Sequence, residues 1–280
     1  MLSSGFNVLL LGSSRRISIL ILSSLCLLLS PAFSSPLTYH GVAVNQPQIE
    51  DRALEPNVLL RIMPLGASIT YGVGSTLGNG YRRFLRLQLV QQDKLSVNMV
   101  GETKRGSMAD NEVEGFPGYR IDEVHTKAVP ELQKDKPNVV LLNLGTNDAS
   151  QDWDIVNAGQ RMEALLSDIY KTSPRAVVLL STLLPNKNQE TEERVLRIND
   201  QYRALVKKLR GKGRKIVLVE FHDGPARLTV DDLKDDTHPN DNGYKKMADI
   251  WYAGLVEAGK VGLLEKPETV EGEMNRSGPD

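Results

Sequence analysis

The sequence predicts a single α/β domain built on a parallel sheet, with helices covering both faces. Three observations carry that expectation. From about residue 57, five short apolar runs alternate with stretches whose apolar residues recur at helical spacing. Each run is apolar almost without a break, as a strand buried on both faces must be. Neither an internal repeat nor a second composition regime interrupts the alternation up to residue 262, so one domain holds it. Right-handed crossovers between parallel strands then bring the carboxyl ends of all the strands to one edge.

The elements follow in order. Residues 57–64 read as the first strand, and Gly66 lets the backbone turn sharply out of it. Residues 81–92 are a helix, 97–100 a short second strand and 101–118 a loop. A helix over 121–134 leads to the third strand, 138–144, bounded by Pro137 and Gly145. In the helix expected over 154–172, Ile155, Met162, Leu165, Leu166 and Ile169 share one apolar face. The fourth strand is 176–181, a long amphipathic helix covers 191–210, the fifth strand is 215–221, and a helix over 241–258 closes the domain.

The ends read differently. Arg15 and Arg16 precede an apolar stretch of 17–29 and then Ser30-Pro31-Ala32-Phe33-Ser34, the pattern of a cleaved export signal over 1–34. That stretch is shorter than the roughly 20 residues that span a bilayer, so no membrane association is expected after cleavage, and the protein is expected to be secreted. Its removal takes Cys26, the only cysteine, so the fold must be held by its core alone. It also leaves 32 basic against 35 acidic residues, a balance with no footprint for nucleic acid. Residues 35–56, with three prolines, read as a leader on the surface, and 263–280 as a disordered acidic tail with a glycosylation acceptor at Asn275.

Four segments that follow strand ends or lie in the loops between them carry chemistry. They are Gly66-Ala67-Ser68, Gly115-Phe116-Pro117-Gly118-Tyr119, Gly145-Thr146-Asn147-Asp148 and Asp235-Asp236-Thr237-His238-Pro239-Asn240. Alone, each has a plain structural reading: a serine N-cap, a turn, an Asx-capped helix start and a helix lead-in. Together they supply what acyl transfer needs. Ser68 is the nucleophile and His238 the base, and Asp235, three residues earlier, can reach the ring across a tight turn. The backbone N–H groups of Ser68 and Gly118 and the amide of Asn147 are the oxyanion donors. Tyr71, Tyr119 and Trp153 flank the site and can stack on a substrate ring, or in the case of Trp153 pack against a neighbouring helix. Among the other histidines, His40 and His125 read as solvated, and His222 beside Asp223 is the rival base.

Other chemistries fit less well. Thr70 stands where a Gly-x-Ser-x-Gly elbow needs its second glycine. Gly72-x-Gly74 lacks the third glycine of a phosphate loop, and no clustered His or Cys suggests a metal, so no cofactor is expected.

In this order the four segments resemble the SGNH (GDSL-type) hydrolases over residues 57 to 258. The stretches Arg61-Ile-Met-Pro-Leu-Gly, Gly78-Asn-Gly-Tyr-Arg82, Ser107-Met-Ala-Asp-Asn111, Glu114-Gly-Phe-Pro-Gly118 and His238-Pro-Asn-Asp-Asn-Gly-Tyr-Lys-Lys-Met-Ala-Asp249 are similar to secreted acetyl xylan esterases of carbohydrate esterase family 3. The resemblance implies a flavodoxin-like three-layer α/β/α sandwich on a five-stranded parallel sheet. It places the family's nucleophile, oxyanion groups and Asp-His pair on Ser68, Gly118, Asn147, Asp235 and His238. It also implies an acetylated, xylan-type carbohydrate as substrate; a monomer is expected. Two positions depart from the family pattern. Ala67 stands where the family has Asp, and Asp236 stands where it often has Gly, within reach of the same imidazole. A lipase or broad arylesterase, and a non-catalytic carbohydrate-binding relative, are the competing readings.

Overall fold

All seven residues of Leu60–Gly66 are buried, and this strand, β1, is the axis of the computed structural model, which describes Leu54 and residues 58–270. The expected export signal, Cys26, His40 and the acceptor at Asn275 lie outside the described residues.

All five expected strands form, as β1, β2 (Val97–Met99), β5 (Val139–Asn143), β6 (Val177–Ser181) and β7 (Ile216–Val219). Two short strands add to them, β3 (Thr103–Lys104) and β4 (Glu112–Gly115), both inside the segment read as a loop. They form an antiparallel hairpin, pairing Thr103 with Val113 and Lys104 with Glu112, and β4 then runs parallel to β1. The sheet therefore has seven strands rather than five. Segments this short carry no legible alternation, and long-range pairing with β1 makes β4 a strand.

The order is β3-β4-β1-β5-β6-β7, with β2 also on β1. β2 pairs with the first half of β1, from Leu60↔Val97 to Ile62↔Met99, and β4 takes over at its carboxyl end, Leu65↔Glu114 and Gly66↔Gly115. β5 lies along the other side. The chain leaves β1 toward β2 and later returns to β5 on the opposite side. The carboxyl end of β1 is thus a topological switch point, where open α/β sheets bind ligands.

Alternating residues of each central strand feed two cores. Val140 and Leu142 join Met63, Leu65, Val178 and Leu180 under helices α3 (Ile121–Asp135), α5 (Ala158–Thr172) and α6 (Gln189–Gly211). Val139 and Leu141 join Leu60, Ile62, Val177 and Leu179 under α2 (Tyr81–Leu87) and α7 (Asp241–Lys260). The five residues expected on one face beginning at Ile155 are all buried in the first core, although Ile155–Asn157 is a separate 3-10 turn before α5. Likewise α2 stops at Leu87 and continues as a π-turn over Gln88–Gln92. Two four- and five-residue helices, α1 (Ser68–Tyr71) and α4 (Thr146–Ser150), lie at the edge where β1 and β5 end.

The sequence reading closes the domain at 262, yet the chain beyond is held to the sheet. Leu263 and Leu264 pack on the second core, Asn138 Nδ2 donates to the Glu265 carbonyl at 2.6 Å, and Arg61 donates to the Glu268 carbonyl at 2.9 Å. Apolar packing, backbone carbonyls and an ion pair of Glu265 with Lys215 at 2.6 Å do this holding, and their partners lie far away in the chain, so the composition of the segment does not reveal it.

Candidate active site

Gly66 ends β1 rather than turning out of it. A Cβ there would stand 2.2 Å from the Asn143 carbonyl and 2.3 Å from Thr70 Oγ1, so glycine is needed for close approach and not for a turn. Ala67 follows, buried in the first core, so the departure from the family carboxylate contributes apolar packing here. Ser68 opens α1, whose tight return is made by Tyr71 N–H to Ala67 O and Gly72 N–H to Ser68 O. As a first-turn residue Ser68 has no intrahelical acceptor for its own N–H. Its hydroxyl does not cap the helix; it meets His238.

The Ser68 Oγ to His238 Nε2 distance is 2.9 Å. On the far side of the ring, Nδ1 lies 2.9 Å from Asp235 Oδ2. Asp235 Oδ1 accepts the N–H groups of Thr237 at 2.8 Å and of His238 at 2.7 Å. Asp235 therefore takes the imidazole, and Asp236 contributes its carbonyl to Lys187 N–H instead. Partial burial pushes the Asp235 carboxyl up, but the two N–H groups and the imidazole outweigh it and hold the carboxyl below the usual range. Asn240 caps α7, accepting from Gly243 N–H at 2.9 Å, so one segment both starts the helix and presents the histidine.

Gly118 lies three residues beyond β4 and Asn147 four beyond β5, the two strands that flank the end of β1. Gly118 has φ +85°, which favours glycine, and nothing lies within 4 Å of where a Cβ would stand. Asn147 does not cap α4. Its Nδ2 donates to the Tyr119 carbonyl at 2.8 Å, tying the two loops together and leaving its second amide hydrogen for another acceptor. Beside it Asp148 is fully buried, receiving Arg161 Nη1 at 2.6 Å and Ile121 N–H at 3.2 Å, and burial raises its carboxyl above the usual range.

A hydroxyl on an imidazole that a carboxylate orients is an arrangement that can perform acyl transfer. A model of the GDSL-like lipase/acylhydrolase family matches residues 65–246, which include all four segments. The chain belongs to this GDSL-like acylhydrolase family. It is similar to a multidomain esterase of Ruminococcus flavefaciens, 27% identical over 69% of this chain, and it spans 28% of that relative's length. The fold is that of a family 3 carbohydrate esterase from Clostridium thermocellum (TM-score 0.64, 24% identity, 74% of this chain and 99% of that one). It also matches a family 3 carbohydrate esterase from Talaromyces cellulolyticus (TM-score 0.62, 21% identity, 72% and 99%).

The three aromatic residues expected to flank the site differ in their contacts. Tyr119 is exposed and stacks on Phe116, with centroids 5.6 Å apart. Trp153 is 47% exposed, so it is not packed into a helix interface, and the Arg120 guanidinium covers one face at 4.2 Å. Tyr71 is half-buried under Arg105. The rival histidine is engaged elsewhere: His222 Nε2 meets Glu192 at 2.6 Å, and that carboxylate raises its pKa despite burial. His125 is not simply solvated but pairs with Asp168 at 2.8 Å.

Four residues that tie the loops of the candidate site together have no sequence signal beyond their place in the resemblance stretches or the glycine pattern. Tyr244 Oη, from α7, donates to the Ile69 and Val73 carbonyls, linking the serine turn to the histidine's helix. Asp241 accepts Thr76 N–H at 2.9 Å across the same junction. Gly74 (φ +96°) lies against this loop, and a Cβ would stand 2.6 Å from the Pro239 carbonyl and 3.1 Å from His238 Cβ. Arg82, fully buried, donates to the carbonyls of Tyr71, Gly78, Arg105 and Asn111. Burial brings its pKa down to about 10, which leaves it charged at neutrality. A pocket of about 350 Å³, lined by Leu77, Arg83, Phe84 and Asp241 among others, opens beside the 75–80 loop and includes no residue of the Ser68–His238–Asp235 set.

Proposed function

We propose that the chain is an exported serine esterase that removes acetyl groups from carbohydrate esters of the xylan type through an acyl-enzyme. The observation that carries this is the unbroken hydrogen-bonded line from Asp235 through His238 to Ser68. His238 Nε2 takes the Ser68 proton as Oγ attacks the acetyl carbonyl. The oxyanion accepts from Ser68 N–H, Gly118 N–H and the second hydrogen of Asn147 Nδ2. The bond to the sugar oxygen breaks as His238 returns the proton to the leaving hydroxyl. Water repeats the sequence, giving its proton to His238 and releasing acetate. Asp235 stays ionised throughout and stabilises the imidazolium. The likeness to two carbohydrate esterases supports a sugar ester as substrate, and exposed Tyr119 and Trp153 beside the oxyanion loop suit stacking on a sugar face. The segment 1–34 supports export.

The test is acetate release from acetylated xylan and from p-nitrophenyl acetate, with Ser68→Ala alongside. Release from both, abolished by the substitution, is expected. Activity on the small ester alone would remove the polysaccharide from the reading, and an inactive parent would remove the esterase.

A further inference from the structure

Tyr71 follows Ser68 by three residues, one turn along the same short helix, so the two side chains rise on neighbouring sides of it. Above the Tyr71 ring stands the guanidinium of Arg105, its Cζ 5.4 Å from the centroid. Arg105 is exposed, and among the described residues its guanidinium has no hydrogen-bond or carboxylate partner. The acids of its own hairpin are engaged elsewhere: Asp110 by Arg86 at 2.9 Å and Glu112 by Lys104 at 3.2 Å.

The position is nonetheless built. Arg82 binds the Arg105 carbonyl at 2.9 Å, and Asn79 Oδ1 accepts the N–H groups of Ser107 at 2.8 Å and Met108 at 3.1 Å. A Cβ on Gly78, whose φ is +70°, would stand 2.9 Å from Arg105 Nε, so the guanidinium crosses bare backbone there. A guanidinium stacked on a ring keeps its edge donors for a planar acceptor, and the best match is a carboxylate held by two parallel hydrogen bonds.

We propose that Arg105, based on Tyr71, is a specificity residue that binds the carboxylate of a uronate sugar carried beside the acetylated unit. The identity of the anion rests on the carbohydrate-ester reading; the anion site rests on the geometry of Arg105 alone. A uronate carboxylate can take two parallel donors of the guanidinium, which a single neutral hydroxyl cannot.

The test compares methyl β-D-glucuronide with methyl β-D-glucoside as inhibitors of p-nitrophenyl acetate hydrolysis, in the parent, Arg105→Gln and Arg105→Lys. The glucuronide is expected to bind the parent about tenfold more tightly than the glucoside, with the ratio near one in Arg105→Gln, intermediate in Arg105→Lys, and narrowed by salt. The ratio within each variant cancels any loss of activity, and a thermal unfolding curve checks folding. Equal inhibition of the parent by both sugars, or a ratio that survives Arg105→Gln, overturns the proposal. Acetylated xylan with its uronates intact or reduced to alcohols separates the two readings. If neither polymer yields acetate while the Arg105-dependent ratio holds, the carbohydrate-ester reading falls and the anion site stands.

Discussion

Asp235 holds His238 at two points: its Oδ2 meets ring Nδ1 at 2.9 Å and its Oδ1 accepts the histidine's own backbone N–H at 2.7 Å. The second contact fixes the backbone from which the ring projects, and the first fixes which ring nitrogen carries the proton. In Asp235→Asn, Oδ1 can still accept both backbone N–H groups, which turns the amide NH2 toward Nδ1. That nitrogen must then accept, Nε2 carries the hydrogen, and it can no longer take one from Ser68. We expect kcat to fall on the order of a thousandfold with KM little changed. Asp236→Asn should stay within about threefold, because its carboxylate has no part in the contact. Equal losses in the two variants would reverse this assignment.

Asn147 spends one amide hydrogen on the Tyr119 carbonyl, and the proposed mechanism gives the other to the oxyanion. An oxyanion donor is worth ~3 kcal/mol, so Asn147→Ala should lower turnover of p-nitrophenyl acetate roughly a hundredfold. A loss under about threefold would end the oxyanion role, leaving Asn147 as a tie between loops.

Gly74 controls the histidine from outside the reacting groups. Gly74→Ala places a methyl against the Pro239 carbonyl and His238 Cβ and strains a backbone at φ +96°. Since a small misplacement of a reacting group costs heavily, kcat is expected to fall by at least about tenfold, while far-UV circular dichroism stays that of the parent. Activity within twofold of the parent would show that the 238–240 loop moves aside without consequence.

Glu114 links pH to stability. Burial on β4, with repulsion from nearby acids, pushes its carboxyl up to about 7, above the usual 4.5, although the Glu102 N–H binds one oxygen at 2.7 Å. Its other oxygen is buried without a partner. Between those pH values the folded chain keeps a proton that the unfolded chain releases, so stability falls as pH rises through the window and levels off above it. At 1.36 kcal/mol per unit, the full effect is about 3 kcal/mol at most. Urea unfolding at pH 4.5 to 8 should show this decline in the parent and not in Glu114→Gln. Parallel curves for the two would mean that Glu114 titrates normally.

Much of this protein was legible because the relevant physics is local. Unbroken apolar runs mark the five main strands and helical spacing marks the long helices, since burial on both faces of a sheet imposes itself residue by residue. The Asp235-x-x-His238 spacing makes the contact possible, since a three-residue turn can close it without help from the rest of the chain. Other features depend on what lies opposite, and the tertiary structure alone decided them. Ser68 and His238 are 170 residues apart and meet because β1 lies at the centre of the sheet and α7 starts at the same edge. Glu112–Gly115 is a strand because β1 offers it an edge. Gly66 is glycine because the Asn143 carbonyl comes within 2.2 Å of its missing Cβ, and the choice between Asp235 and Asp236 turned on backbone N–H directions. Arg82 looks in sequence like one more helical cation. Only closure of the loops over it, which withholds water and supplies four carbonyls, makes it the tie that positions Tyr71 and Arg105.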